Sequence, residues 1–160
     1  MKGSVQVIGM DKVKLQLRNI AQRVPDSARK QMHKSAEEIV KIAKIQTPRD
    51  WGNLEDAIKI LKSYGYRGRL QIDIGIQPTG NEVGENGPID VNQYAAIIHE
   101  NYEYVIRKNG PGKETKKKMA EYSGYRIGSG FLTRAAMLEQ KSLDQKMIAV
   151  IDQIVTEEDR

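Results

Sequence analysis

Cysteine is absent from the 160-residue chain, which excludes disulfides and thiolate metal sites together. Histidine is nearly absent: His33 and His99 stand alone, with no His-x-x-x-His or comparable cluster, so no metal site is expected. No apolar run approaches the length of a membrane span. The N-terminus also lacks the basic-then-apolar pattern of a signal peptide, so the expectation is cytosolic synthesis and no membrane. Tryptophan occurs once, at Trp51, in a turn where such a residue more often plugs the end of a core than anchors a partner.

Recognisable chemistry is equally scarce. His99-Glu100 is the one adjacent histidine and carboxylate pair, and no second carboxylate or nucleophile accompanies it at a telling spacing. A packed strand residue explains His99 better than catalysis does. The run Gly110-Pro111-Gly112-Lys113-Glu114-Thr115 superficially has the look of a phosphate loop. The Walker pattern needs glycine where Arg107 stands and Ser or Thr where Glu114 stands, and the dinucleotide pattern needs glycine at Thr115. No catalytic, cofactor-binding or metal residues are therefore assigned, and an enzyme is not expected.

What the chain does have is charge concentrated in one place. The net charge is +5. Between Val105 and Arg126 stand seven basic residues and two acidic ones, so this segment carries the whole excess. Local charge of this kind points to one contact region, not a generally cationic surface.

It also has helical periodicity. Pro25 to Pro48 reads as a long amphipathic helix: Asp26 is placed to cap it, and Ala28, Met32, Ala36, Ile39, Val40 and Ala43 form an apolar stripe. Pro48 should stop it at Thr47. A preceding helix runs from Asp11 through Val13, Leu17, Ile20, Ala21 and Val24 until Pro25 interrupts. A short edge strand is suggested at 4–9.

Extended structure is expected around 57–63, a hairpin turn at 65–68, and a strand at 70–76. Leu70, Ile72, Ile74 and Ile76 share one face of that strand and should cover the long helix. Residues 78–90 read as loop and Tyr94–Glu100 as a third strand. Residues 105–126 read as an exposed loop or arm. The final helix opens at Phe131, with a break expected near Ser142, whose spacing to Gln145 matches a capping box. The reading is one α+β domain over 1–160, a small mainly antiparallel sheet packed against a long helix, with N-terminal and C-terminal helices.

Several landmarks occur in a suggestive order: Val7-Ile8-Gly9-Met10-Asp11-Lys12-Val13, then Thr47-Pro48, Gly52-Asn53-Leu54, Tyr94-Ala95 with Glu100, and Phe131-Leu132-Thr133-Arg134-Ala135. This order resembles the small neck, or tail-completion, proteins of tailed bacteriophages, which help join the DNA-filled head to the tail. The chain departs from that pattern at Trp51, where many members have Thr, and at Asn101-Tyr102-Glu103-Tyr104, where many have an aromatic and Gly-Thr.

The resemblance implies a structural virion protein at the neck or tail end, made in the host cytoplasm. It implies a ring of six or twelve copies, neighbouring connector and tail proteins, and DNA contact in the channel. The expected contact residues are Tyr102, Tyr104, Lys113, Lys116, Lys117 and Lys118. The competing reading is a small basic nucleic-acid-binding protein, in which those lysines contact phosphates without reading sequence.

Overall fold

A computed structural model describes residues 10–66, 69–78, 83–84, 87–88 and 90–158. In order the elements are α1 (Met10–Gln46), α2 (Asn53–Ala57), β1 (Ile58–Tyr66), β2 (Arg69–Ile76), β3 (Val83–Gly84), β4 (Gly87–Pro88), α3 (Val91–Val105), α4 (Lys113–Glu121) and α5 (Phe131–Glu158). The expected strand at 4–9, the Arg67-Gly68 turn and most of the 78–90 loop lie outside the described residues.

Two long helices set the frame. At 1.5 Å per residue, α1 extends about 55 Å and α5 about 42 Å. They run antiparallel. Gln16 Nε2 donates to the Glu158 carbonyl (2.7 Å), and Arg23 pairs with Glu157 (2.5 Å) and Glu158 (2.9 Å). At the other end, Arg134 Nε donates to Gln46 Oε1 (3.0 Å).

The two N-terminal helices expected from sequence are one. α1 passes through Pro25, although proline has no N–H to donate to the preceding turn. Contacts with α5 on both sides of the proline hold the two halves in line. Asp26 consequently caps nothing; it is exposed and 3.5 Å from Arg29 Nη1. α5 likewise runs without a break past Ser142, whose hydroxyl donates to the Glu139 carbonyl (3.0 Å) inside the helix. The end of α1 falls as expected: Thr47 is fully buried, and its hydroxyl donates to the Ala43 carbonyl (2.6 Å) just before Pro48.

β1 and β2 form an antiparallel hairpin from Ile58↔Ile76 to Tyr66↔Arg69, with the register shifting at Leu61. The alternating strand at 70–76 is present, and the hairpin packs on α1. β3 and β4 make a second, minimal antiparallel pair.

The segment expected as a third strand is helix α3. Asp90 caps it, accepting from the Asn92 N–H (2.9 Å). Its buried residues Val91, Ala95 and Tyr102 recur at helical spacing. The core lies at one end of the frame, where Ala43, Leu54, Ala57, Ile58, Val91, Ala95, Phe131 and Ala135 meet. Phe131 is fully buried, which contributes about 3 kcal/mol by the usual transfer scale.

Candidate partner interface

The basic segment is built differently from an arm. Only 106–112 is irregular before the chain enters α4, and one face of that helix is bolted to the core. Thr115 Oγ1 donates to the Arg49 carbonyl (2.6 Å) and accepts from the Arg49 N–H (3.0 Å). Three residues on, Lys118 is 1% exposed.

The Lys118 ammonium donates to the carbonyls of Lys44 (2.5 Å) and Thr47 (2.7 Å), and to the Glu55 carboxylate. Glu55 is shared with Arg49, whose Nη2 lies 2.8 Å away. Burial depresses the Lys118 pKa, while the hydrogen bond it donates to Glu55 works against that shift and favours the ammonium. Chemically this cluster caps the end of α1: a cation meets carbonyls that the helix itself leaves unpaired.

The six expected contact residues therefore divide. Lys118 belongs to the interior, not to a contact surface. Tyr102 is also buried, at 6% exposure. It is held by its backbone N–H donating to Ser129 Oγ (3.1 Å), and burial raises its phenol pKa against a hydrogen bond with Thr115. Gly128 sits beside it with φ +139°, and a Cβ there would meet the Tyr102 ring at 3.2 Å, so glycine is required.

Lys113, Lys116 and Lys117 are exposed on the outer face of α4, with Lys117 2.8 Å from Glu114. Tyr104, near the end of α3, is 75% exposed. The structure thus brings the three outer lysines together on one helix face.

A groove missed by sequence reasoning opens between the turn before α2, the face of α3 and the start of α4. Its volume is about 390 Å³, and its walls include Trp51, Leu54, Tyr94, Ile98, Tyr102 and Val105. Trp51 is not the expected core plug. It is 60% exposed and forms a wall of this groove. Gly52 follows it with φ +89°, a conformation that favours glycine, at the start of α2.

His99 lies in α3, not in a strand. Its ring meets Phe131 edge-on, with centroids 4.8 Å apart and planes at 82°. Its Nε2 is buried and has no hydrogen-bond partner among the described residues. Burial lowers its pKa, with Glu100 opposing and Arg134 reinforcing the shift. The half-buried ring packs on Phe131 beside the core, and the described residues contain no cluster of three or more metal-ligating side chains.

Comparison with curated proteins and with solved structures finds no match. A family model does match, over residues 11–123, which spans α1 to α4 and stops before the Phe131-Leu132 motif. That is well over half of the sequence, and on it the chain belongs to the bacteriophage HK97-gp10-like family, described as a tail component.

Proposed function

We propose that this protein is a neck or tail-completion subunit, joining the head connector to the tail of a phage particle. In this reading six or twelve copies close head to tail into a ring around the DNA channel. They occupy the neck or tail end of the virion after assembly in the host cytoplasm. The observation that carries the reading is membership of a tail-component family across α1 to α4.

The surface supports it. Lys113, Lys116 and Lys117 stand on a helix fixed to the core through Thr115 and Lys118, so their charge is presented with little ordering cost on docking. A rigid basic face suits an acidic surface on a neighbouring connector or tail protein. Tyr104 and the Trp51 groove add exposed aromatic surface nearby.

The test is in vitro joining of purified heads and tails with Lys113, Lys116 and Lys117 each changed to Glu. Joining should fall at least tenfold while the melting temperature stays within a few degrees of wild type. Normal joining by the triple variant overturns the role of this face. The same three lysines also favour a second reading, contact with nucleic-acid phosphates. That reading requires the isolated subunit to bind a short duplex tightly, with affinity falling steeply as salt rises.

A further inference from the structure

The groove beside Trp51 combines an apolar interior with a cationic border. Leu54, Tyr94, Ile98 and Val105 line the inside, and Trp51 stands 60% exposed at an edge. Its volume, about 390 Å³, falls within the range of about 300–1,000 Å³ that takes a bound group. The polar groups in the wall are already engaged. The Tyr102 phenol is hydrogen-bonded with Thr115, the Thr115 hydroxyl donates to the Arg49 carbonyl, and the Arg49 guanidinium holds Glu55. Asn53 and Tyr94 have partners of their own. An occupant is therefore held by apolar contact inside and by charge at the border.

That charge comes from the turn before α4 and from α4 itself. Ile106 and Gly112 both line the groove, and the turn that links them carries Arg107 and Lys108, both exposed. The Lys116 N–H donates to the Gly112 carbonyl (3.0 Å), so Lys116 stands one turn on from a groove wall. Lys113 is its i,i+3 neighbour, and both are exposed. None of these four cations forms an ion pair with a described residue. Lys117 differs: it lies about 140° round the helix from Gly112 and is paired with Glu114. Among the described residues of the wall, Asp50 is the one carboxylate, so the border is net cationic.

Unpaired cations beside an apolar interior complement an acidic segment that carries a bulky apolar side chain. A nucleic-acid strand fits less well. Strand binding without sequence preference stacks successive bases on several aromatic faces, and reading a base edge needs free polar groups. Trp51 is the one exposed aromatic among the described wall residues; Tyr94 is half-buried and Tyr102 is buried.

We infer that the Trp51 groove is the docking site for an acidic peptide segment of a neighbouring protein. The segment inserts one bulky apolar residue against Trp51, Ile98 and Val105 and sets its carboxylates against Lys113 and Lys116, with Arg107 and Lys108 beside them. This deepens the joining role and rests on it for the identity of the neighbour, while the binding itself is measured on the isolated subunit.

Selection of a random displayed-peptide library on the full chain tests it. The selected peptides are then titrated against the emission of Trp51, the chain's one tryptophan. They should carry a bulky apolar residue with two or more Asp or Glu close by, and should shift that emission saturably. Lys113→Glu combined with Lys116→Glu should weaken binding at least tenfold. Trp51→Ala, followed by titration calorimetry, should do the same. Both variants change exposed side chains, so their melting temperatures should stay within a few degrees of wild type. Lys117→Ala should alter the affinity less than twofold. No enrichment overturns the inference, as does enrichment of peptides without carboxylates or of peptides whose binding ignores Trp51→Ala. A thymidine oligomer that shifts Trp51 emission at lower concentration than any selected peptide assigns the groove to nucleic acid, and also overturns it. Peptide binding that fails while heads and tails join normally overturns this inference alone. Heads and tails that join without the subunit overturn the joining role and leave the groove's peptide chemistry standing.

Discussion

The same two helices, α1 and α5, meet two different fates along their length. At the globular end, Ala43 and Ala135 are fully buried beneath α2, α3 and the start of β1. At the outer end only the seam is covered: Ile154 is 3% exposed while its neighbours Ile151 and Val155 are open. Apolar residues recur at helical spacing toward both ends, so an amphipathic stripe specifies that something must cover it, not what does. The globular end finds its cover within the chain. The outer end is held by Arg23 and Asn19 on Glu157 and Glu158, a polar fastening that leaves its apolar side open.

The largest expected effect sharpens this contrast. Phe131 is fully buried where α5 enters the core, so Phe131→Ala should cost about 4 kcal/mol by cavity and transfer terms together. Ile148→Ala at the outer end, measured at a concentration where the chain is monomeric, should cost within about 0.5 kcal/mol. Urea unfolding of the two variants checks both. Equal losses would mean that the outer end is as well packed as the core, and would erase the distinction.

The next contrast lies between two adjacent lysines. Lys118→Met removes a cation from two buried carbonyls and from Glu55, and should cost about 3 kcal/mol. Lys117→Ala removes an exposed pair with Glu114 and should cost less than about 0.5 kcal/mol. For the same reason, charge reversal at Lys118 is useless for testing docking, since it unfolds the site it is meant to probe. Thermal melts of the two single variants decide the matter.

These lysines also show how much of the molecule could be read from its sequence. The end of α1, the 70–76 strand, its hairpin and the start of α5 were legible because proline, alternation and apolar spacing each carry a local signal. α3 was misread because Tyr94, Ile97 and Ile98 are strand-prone residues. The spacing of Val91, Ala95 and Tyr102, with Asp90 in front, was the better guide. α4 was read as loop because its core-facing positions are Thr115 and Lys118, and no hydrophobicity pattern marks a lysine as interior. The carbonyls of Lys44 and Thr47, 74 and 71 residues away in the chain, and the Glu55 carboxylate explain it. Lys113, Lys116, Lys117 and Tyr104 were legible as surface; the Trp51 groove was not, since three separated segments build it.

Pro25 marks the passage between the two regimes, and replacing it tests how firmly they are coupled. In an unstrained helix interior, proline costs up to about 3 kcal/mol relative to alanine. Here α1 continues through it, between the Arg23 contacts with α5 and the buried Ser35. Pro25→Ala restores an N–H able to bond the preceding turn, so the melting temperature should rise, by the equivalent of about 1–2 kcal/mol once strain relief is partial. A fall would mean that a proline-set bend is what allows both halves to follow α5, and the frame would then depend on an irregularity at its middle.

The smallest effect is a pH dependence, and it separates the core from the polar fastenings. Burial holds the His99 pKa below its ordinary value of 6.5. As pH falls past about 6.5, the unfolded chain takes up a proton that folded His99 does not, so stability declines with acidification from that point. His99→Phe should flatten this slope below about pH 6.5, with little change at neutral pH.

Glu139 titrates in a different window. Burial pushes its pKa up, but hydrogen bonds from Lys146, Ser35 and Ser142 outweigh that and hold it below 4.5. Its contribution is complete above the unfolded value and is lost only as pH falls through the lower folded one. Melting temperature against pH for wild type and His99→Phe should therefore diverge first near pH 6.5. Coincident curves there would place the acid sensitivity outside the His99–Phe131 contact.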